Sequence, residues 1–255
     1  MADPVLVELP RVSTHKQLAL VTGGGSGIGE AIAHALAGRG CRVVVCGRTE
    51  EKLTHVAETA PPGAAEIVPH VCDVADRAAV AAMIARCEGE LHGLGVVVNA
   101  AGLNVPGRLL QDATGEEWDR VMAANATGAF NVLKAAVPAM KERGDGLCVN
   151  ISSVAGVRAL LLGGIPYAAS KFAMTSLGLA LSTELKDTGV RVTNVYPGEV
   201  ETPILDQRPE PPSAERRALM LQPEDVAAAV MLAATLPARA NVLELTVKPT
   251  VQEFV

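Results

Sequence analysis

Short apolar runs alternate with longer stretches whose apolar positions recur every three or four residues, and this rhythm continues along nearly the whole chain. Residues 18–21 are continuously apolar and stop at Thr22-Gly23, after which a helical pattern covers 28–39 and closes at Gly40. A second strand is predicted over 42–46, a helix over 51–60, a strand over 66–71, a helix over 77–90 and a strand over 95–99. This succession implies βαβ crossovers, which are right-handed and build a parallel sheet. Beyond Gly102 the pieces lengthen, with a helix over 115–137, a strand over 147–152, a helix over 167–188 and a strand over 190–195. A last helix over 223–235 and a last strand over 242–247 complete the pattern.

The expected fold is therefore α/β, a doubly wound parallel β-sheet flanked by helices. It forms a single domain over residues 17–255, preceded by an N-terminal tail of residues 1–16. Only residues 203–222 break the rhythm, with Pro203, Pro209, Pro211, Pro212 and Pro223 bracketing mixed charges. The segment reads as a substrate-loop insertion or lid, with an inert surface loop as the alternative.

Composition narrows the class. With 49% hydrophobic and 20% charged residues the 255-residue chain is globular, and its 2% aromatic content leaves Val, Ala, Leu and Ile to fill the core. A net charge of -6 without a Lys/Arg block argues against a nucleic-acid surface. Cys41, Cys46, Cys72, Cys87 and Cys148 contain no C-x-x-C pair, and reduced thiols in a cytoplasmic compartment are the simplest account. His15, His34, His55, His70 and His92 lack ligand spacing, so no metal is expected. Residues 1–16 lack the basic start and apolar core of a signal peptide, and no run is long enough to span a bilayer.

Candidate chemistry begins where the first strand meets the first helix. Thr22, Gly23, Gly25, Ser26, Gly27, Ile28 and Gly29 form a Gly-rich turn fitting Thr-Gly-x-x-x-Gly-x-Gly, where backbone amides can approach a pyrophosphate at a helix N-terminus. A tight βα turn is the plain alternative. The second strand ends Cys46-Gly47-Arg48-Thr49 with no carboxylate before Glu50, so Arg48 favours NADP(H) over NAD(H), unless Glu50 or Glu51 turns back to a ribose. Tyr167 and Lys171 stand four residues apart, on one helix face, where an ammonium beside a phenol makes a proton-transfer device. An isolated pair of this kind is more often an ordinary amphipathic helix.

Together these motifs make the chain resemble the classical short-chain dehydrogenases/reductases, Rossmann-type NAD(P)-binding enzymes, over about residues 17 to 250. Asp73-Val74 looks like the family's adenine-contacting pair. Asn99-Ala100-Ala101-Gly102 resembles Asn-Asn-Ala-Gly, with Ala100 in place of the second Asn, so Asn99, Ala101 and Gly102 are carried over as cofactor contacts. Asn125 matches the helix-embedded catalytic Asn, and Ser153, directly before Val154, matches the catalytic Ser rather than Ser152. Ser153 lies 14 residues before Tyr167, one more than the commonest family spacing, which implies an insertion between them. Pro197, Gly198, Val200 and Thr202 resemble the segment that anchors the nicotinamide carboxamide.

The resemblance implies hydride transfer between nicotinamide and a carbonyl or secondary alcohol, with Tyr167 as proton donor or acceptor. Lys171 would lower the phenol pKa and bond the nicotinamide ribose, Ser153 would hold the substrate oxygen, and Asn125 would hold a water linking Lys171 to solvent. An apolar mouth is expected from Leu103, Val105, Leu109, Leu110, Leu160, Leu161, Leu162 and Ile165. The face carrying Phe172, Leu177, Leu179 and Leu181 is expected to build a homo-oligomer, a dimer or the helix-paired tetramer common in the family. Two other readings remain: a non-catalytic NAD(P)-binding regulator or scaffold, and a dinucleotide-dependent epimerase or dehydratase.

Overall fold

The computed structural model describes residues 18–91 and 93–253. The N-terminal tail, His15 and His92 lie outside the described residues. Seven strands form one parallel sheet: β1 Leu18–Thr22, β2 Arg42–Gly47, β3 Ile67–Val71, β4 Val96–Asn99, β5 Gly146–Ile151, β6 Val190–Pro197 and β7 Glu244–Val247. Their spatial order is β3-β2-β1-β4-β5-β6-β7, so the winding reverses between β1 and β4. At such a switch point the loops leaving the two central strands part and open a crevice at the sheet's C-terminal edge.

The helices are α1 Gly27–Ala37, α2 Glu50–Glu58, α3 Arg77–Gly89, α4 Gly115–Met122, α5 Gly128–Arg143, α6 Ile165–Glu184, α7 Ala214–Arg217 and α8 Pro223–Thr235. Strand residues alternate between two cores. Ala19, Val21, Val43 and Val45 pack with Ile32, Leu36, Val226 and Val230 of α1 and α8, while Leu18, Leu20, Val44 and Val97 pack with Met83, Leu133 and Met140 of α3 and α5. Because both faces are covered, the strands read as continuous apolar runs.

Among the boundaries that differ from expectation, three have identifiable reasons. α6 begins at Ile165, two residues before Tyr167, because Pro166 is tolerated in a first helical turn. It ends at Glu184, and the chain then reverses through Asp187 and Gly189 at positive φ. The predicted helix over 115–137 extends to Arg143 and is interrupted by a π-helical turn, Ala123–Thr127, whose centre is Asn125. The face assigned to oligomer contacts also divides: Leu177 and Leu181 pack into the core, whereas Phe172 is exposed.

Register creates a polar ladder through the sheet. Asn99, Asn150 and Asn194 are Cα partners on adjacent strands. Asn99 Nδ2 donates to Asn150 Oδ1 at 3.0 Å, Asn150 Nδ2 to Asn194 Oδ1 at 3.0 Å, and Asn194 Nδ2 to the Thr175 carbonyl at 3.2 Å. The ladder therefore ends on α6, the helix that carries Tyr167 and Lys171. α6 sits so close to the sheet there that a Cβ on Gly178 would lie 2.0 Å from Asn194 Oδ1.

Candidate active site

The Gly-rich turn is held by its neighbours across the switch point. Thr22 Oγ1 accepts from the backbone amides of Ala100 at 3.2 Å and Ala101 at 3.1 Å, tying the end of β1 to the segment after β4. Gly23 has φ 65°, and a Cβ there would lie 2.7 Å from Ala101 Cα, so only glycine fits this crossing. Ser26 caps α1 without a side-chain hydrogen bond, which leaves the helix's first amides without a side-chain acceptor. These amides and the helix dipole favour an anion.

Beside that turn lies a cavity lined by Gly25, Ser26, Arg48, Lys52, Asp73 and Gly102. Arg48 is exposed at its rim and Lys52 follows one helical turn later. The glycine cradle, the open α1 amides and this cationic rim fit a phosphorylated dinucleotide. Asp73 bonds the Ala75 amide at 2.9 Å, and Val74 packs where a Cβ on Gly128 would intrude at 2.5 Å.

A second cavity is lined by Ser153, Tyr167, Asn104, Arg108, Glu199 and Arg208. Ile28, Pro197, Gly198, Val200 and Thr202 form its other wall, and a Cβ on Gly27 would touch Thr202 Cγ2 at 3.0 Å, so the turn and the Pro-Gly segment meet here. Lys171 is buried behind the site. Its Nζ donates to the Ile151 carbonyl at 2.8 Å and lies 5.6 Å from the centre of the Tyr167 ring, and burial pushes its pKa down to about 8.

The two serines are separated by what they face. Ser152 Oγ donates to the Lys171 carbonyl at 3.0 Å and is enclosed against α6. Ser153 Oγ accepts from the Ala155 amide at 3.1 Å, which leaves its O–H proton available at the cavity. Burial raises the Tyr167 pKa above 10, and the hydrogen bond from Ser153 followed by the charges of Arg108 and Arg208 pulls against it. Among the influences on the phenol, burial is the largest.

Asn125 links the π-helical turn to its neighbours. Its Oδ1 accepts from the Leu103 amide at 2.8 Å, and its Nδ2 donates to the Leu103 carbonyl at 3.0 Å and to Ser170 Oγ at 2.9 Å. The side chain is thereby tied to the segment after β4 and to α6. Asn99 likewise spends its amide on the sheet ladder, whereas Ala101 and Gly102 line the first cavity.

The mouth is mixed: Leu160, Leu162, Ile204 and Leu205 line it together with Arg108, Glu199 and Arg208, whereas Val105 is core, Leu103 lines the first cavity, and Leu109, Leu110, Leu161 and Ile165 are exposed. Ile204, Leu205 and Arg208 come from the Pro-rich excursion, which leaves at Val200 and returns at Leu221 through a β-bridge between those two residues. Arg217 clasps it by bonding Glu201 at 2.7 Å and Asp206 at 2.5 Å. Sequence reasoning missed Lys52, Asn104, Arg108, Glu199 and Arg208. The i,i+4 spacing of Arg48 and Lys52 was a readable signal for the first of these.

Comparison with known proteins agrees with this layout. A family model described as short chain dehydrogenase matches residues 17–212. An uncharacterized oxidoreductase of Staphylococcus aureus strain MW2 is 37% identical over 233 residues, covering 91% of this chain and 97% of the relative. Among solved structures, the closed form of serine dehydrogenase complexed with NADP+ is 32% identical, with TM-score 0.84 over 92% of this chain and 96% of that one. An alcohol dehydrogenase from the archaeon Thermococcus sibiricus, complexed with 5-hydroxy-NADP, is 29% identical, with TM-score 0.83 over 93% and 98%. By its matched sequence, its seven-stranded parallel sheet and these relatives, the chain belongs to the short-chain dehydrogenase family of oxidoreductases.

Proposed function

We propose that the chain is an NADPH-preferring oxidoreductase that interconverts a carbonyl and a secondary alcohol. One observation carries the reading: Tyr167 and Ser153 share a cavity wall, with Lys171 buried behind them and the carboxamide-anchoring segment opposite. When bound, the nicotinamide supplies or accepts the hydride. The protein holds the proton at Tyr167 Oη and delivers it to the oxygen of the reacting carbon. Ser153 donates from Oγ to that same oxygen and fixes it beside the phenol. Lys171 would bond the nicotinamide ribose, while Asn125 acts as a brace, joining the π-helical turn and Leu103 to Ser170 on α6.

For the cofactor, Thr22 and the amides from Gly23 to Gly29 would cradle the pyrophosphate, and Asp73, Val74, Ala101 and Gly102 would flank the adenosine half. Pro197, Gly198, Val200 and Thr202 would hold the nicotinamide. Arg48 and Lys52, which line the first cavity, would take a 2′-phosphate, and two structural relatives are named as complexes with NADP+ and 5-hydroxy-NADP. A homodimer or homotetramer is supported by the exposed Trp118, Phe130 and Phe172. A cytoplasmic setting is supported by five buried cysteine thiols.

The test is to follow absorbance of the reduced nicotinamide while the full-length protein is offered a panel of ketones with NADPH or NADH. Catalytic consumption with NADPH favoured supports the proposal. Binding without consumption points instead to a regulator, and sugar conversion without net redox change to an epimerase.

A further inference from the structure

Arg108 and Arg208 reach the Tyr167 cavity from different elements, and the proton transfer itself leaves them without a task. Arg108 lies between β4 and α4. Its Nη1 donates to the Gly163 carbonyl at 2.9 Å, and a Cβ on Gly164 would lie 2.8 Å from Arg108 Cδ, so the turn into α6 fixes the guanidinium. Its Nε is buried without a partner, and no carboxylate pairs with it among the described residues. Arg208 belongs to the Pro-rich excursion and donates to Glu199 Oε1 at 3.1 Å, while Arg216 takes the other oxygen of Glu199. One carboxylate thus serves two guanidiniums, a third stands uncompensated, and this end of the cavity is net positive.

Arg108 is half-buried, and a cation partly withdrawn from water without a counter-charge costs free energy. Burial holds Arg108 below its ordinary pKa, and repulsion from the Arg208 charge adds to that. A ligand anion between them would relieve both costs. A planar guanidinium matches a carboxylate in two-point geometry.

We propose, resting on the oxidoreductase reading above, that Arg108 and Arg208 form an anion subsite and that the substrate class is short oxo or hydroxy acids. Arg108 is the principal contact to the carboxylate, and Arg208 supplies long-range charge while it positions Glu199. The carboxylate binds at the mouth, and the carbonyl or hydroxyl oxygen reaches Ser153 and Tyr167. The subsite sets specificity and takes no proton.

Matched pairs test this: pyruvate against methyl pyruvate, and acetoacetate against methyl acetoacetate, each with NADPH. The readout is the acid-to-ester ratio of kcat/KM. It should favour the acid in the parent protein and fall by roughly tenfold or more in R108Q, mainly through KM, with part restored in R108K. An unchanged ratio in R108Q overturns the subsite even if the ketones are reduced. Where R108Q fails to fold by circular dichroism, R208Q is measured in its place, with a smaller drop in the ratio expected and no drop overturning the proposal. Calorimetric titration of malonate into the full chain with saturating NADP+ tests the subsite without turnover. Weaker binding to R108Q than to the parent by about tenfold supports it, and equal binding or none to the parent overturns it. Malonate binding of the expected kind with no carbonyl reduced would sink the oxidoreductase reading and leave the subsite standing.

Discussion

Lys171 Nζ donates to the Ile151 carbonyl at 2.8 Å, which moors a buried ammonium to the last residue of β5. The ammonium's pKa is about 8 in the folded chain against 10.5 ordinarily. Below 8 both folded and unfolded chains hold the proton, and the cost of burying the charge is borne in full. Between about 8 and 10.5 the unfolded chain still holds it and the folded chain has released it, so this group's contribution to stability improves as pH rises. The raised thiols of Cys87 and Cys148 act in the opposite sense over part of that range. The prediction is therefore a difference: from pH 7 to 10 the melting temperature of the parent should gain on that of Lys171→Met. A gap that does not change with pH contradicts it.

Cofactor choice is predicted to rest on Arg48 and Lys52, which line the rim of the first cavity. Arg48→Ala, and more so the double variant with Lys52→Ala, should raise the dissociation constant for NADPH roughly tenfold or more, with a much smaller change for NADH. Equal losses for both cofactors, measured by fluorescence titration, would remove the 2′-phosphate role.

The Asn ladder predicts a stability effect far from either cavity. In Gly178→Ala the new Cβ would meet Asn194 Oδ1 at 2.0 Å and must displace α6 or break the bond from Asn150. Overpacking of this kind costs about 1–3 kcal/mol, or a few degrees of melting temperature per kcal/mol in a chain of this size. Gly115→Ala, where a Cβ meets nothing within 4 Å, is the control and should melt within about a degree of the parent. Equal melting of Gly178→Ala and the control would show that α6 is not held by this contact.

The sheet was legible in the sequence because two-sided burial writes a parallel strand as a continuous apolar run, and the Gly-rich turn was legible because its residues are consecutive. The ladder was not, since Asn99, Asn150 and Asn194 become neighbours only through strand register. Arg108 and Arg208 were invisible for a related reason: each sits in a loop whose position is fixed by tertiary contacts, to Gly163 and to Glu199. The direction of the Tyr167 shift required knowing its burial, because spacing to Lys171 reveals a neighbour and says nothing about lost water. Asn125 was found by its motif, yet the π-helical turn that commits its side chain to Leu103 and Ser170 leaves no periodic trace.

In the proposed reaction the Tyr167 hydroxyl transfers the proton. The direct measurement is turnover and NADPH affinity of Tyr167→Phe, prepared alongside the parent and assayed on whichever carbonyl the parent reduces. Tyr167→Phe should fold, bind NADPH within a few-fold of the parent and lose roughly 10²–10⁴-fold in kcat, the usual scale for a positioned acid. Retention of substantial turnover by that variant would contradict this role.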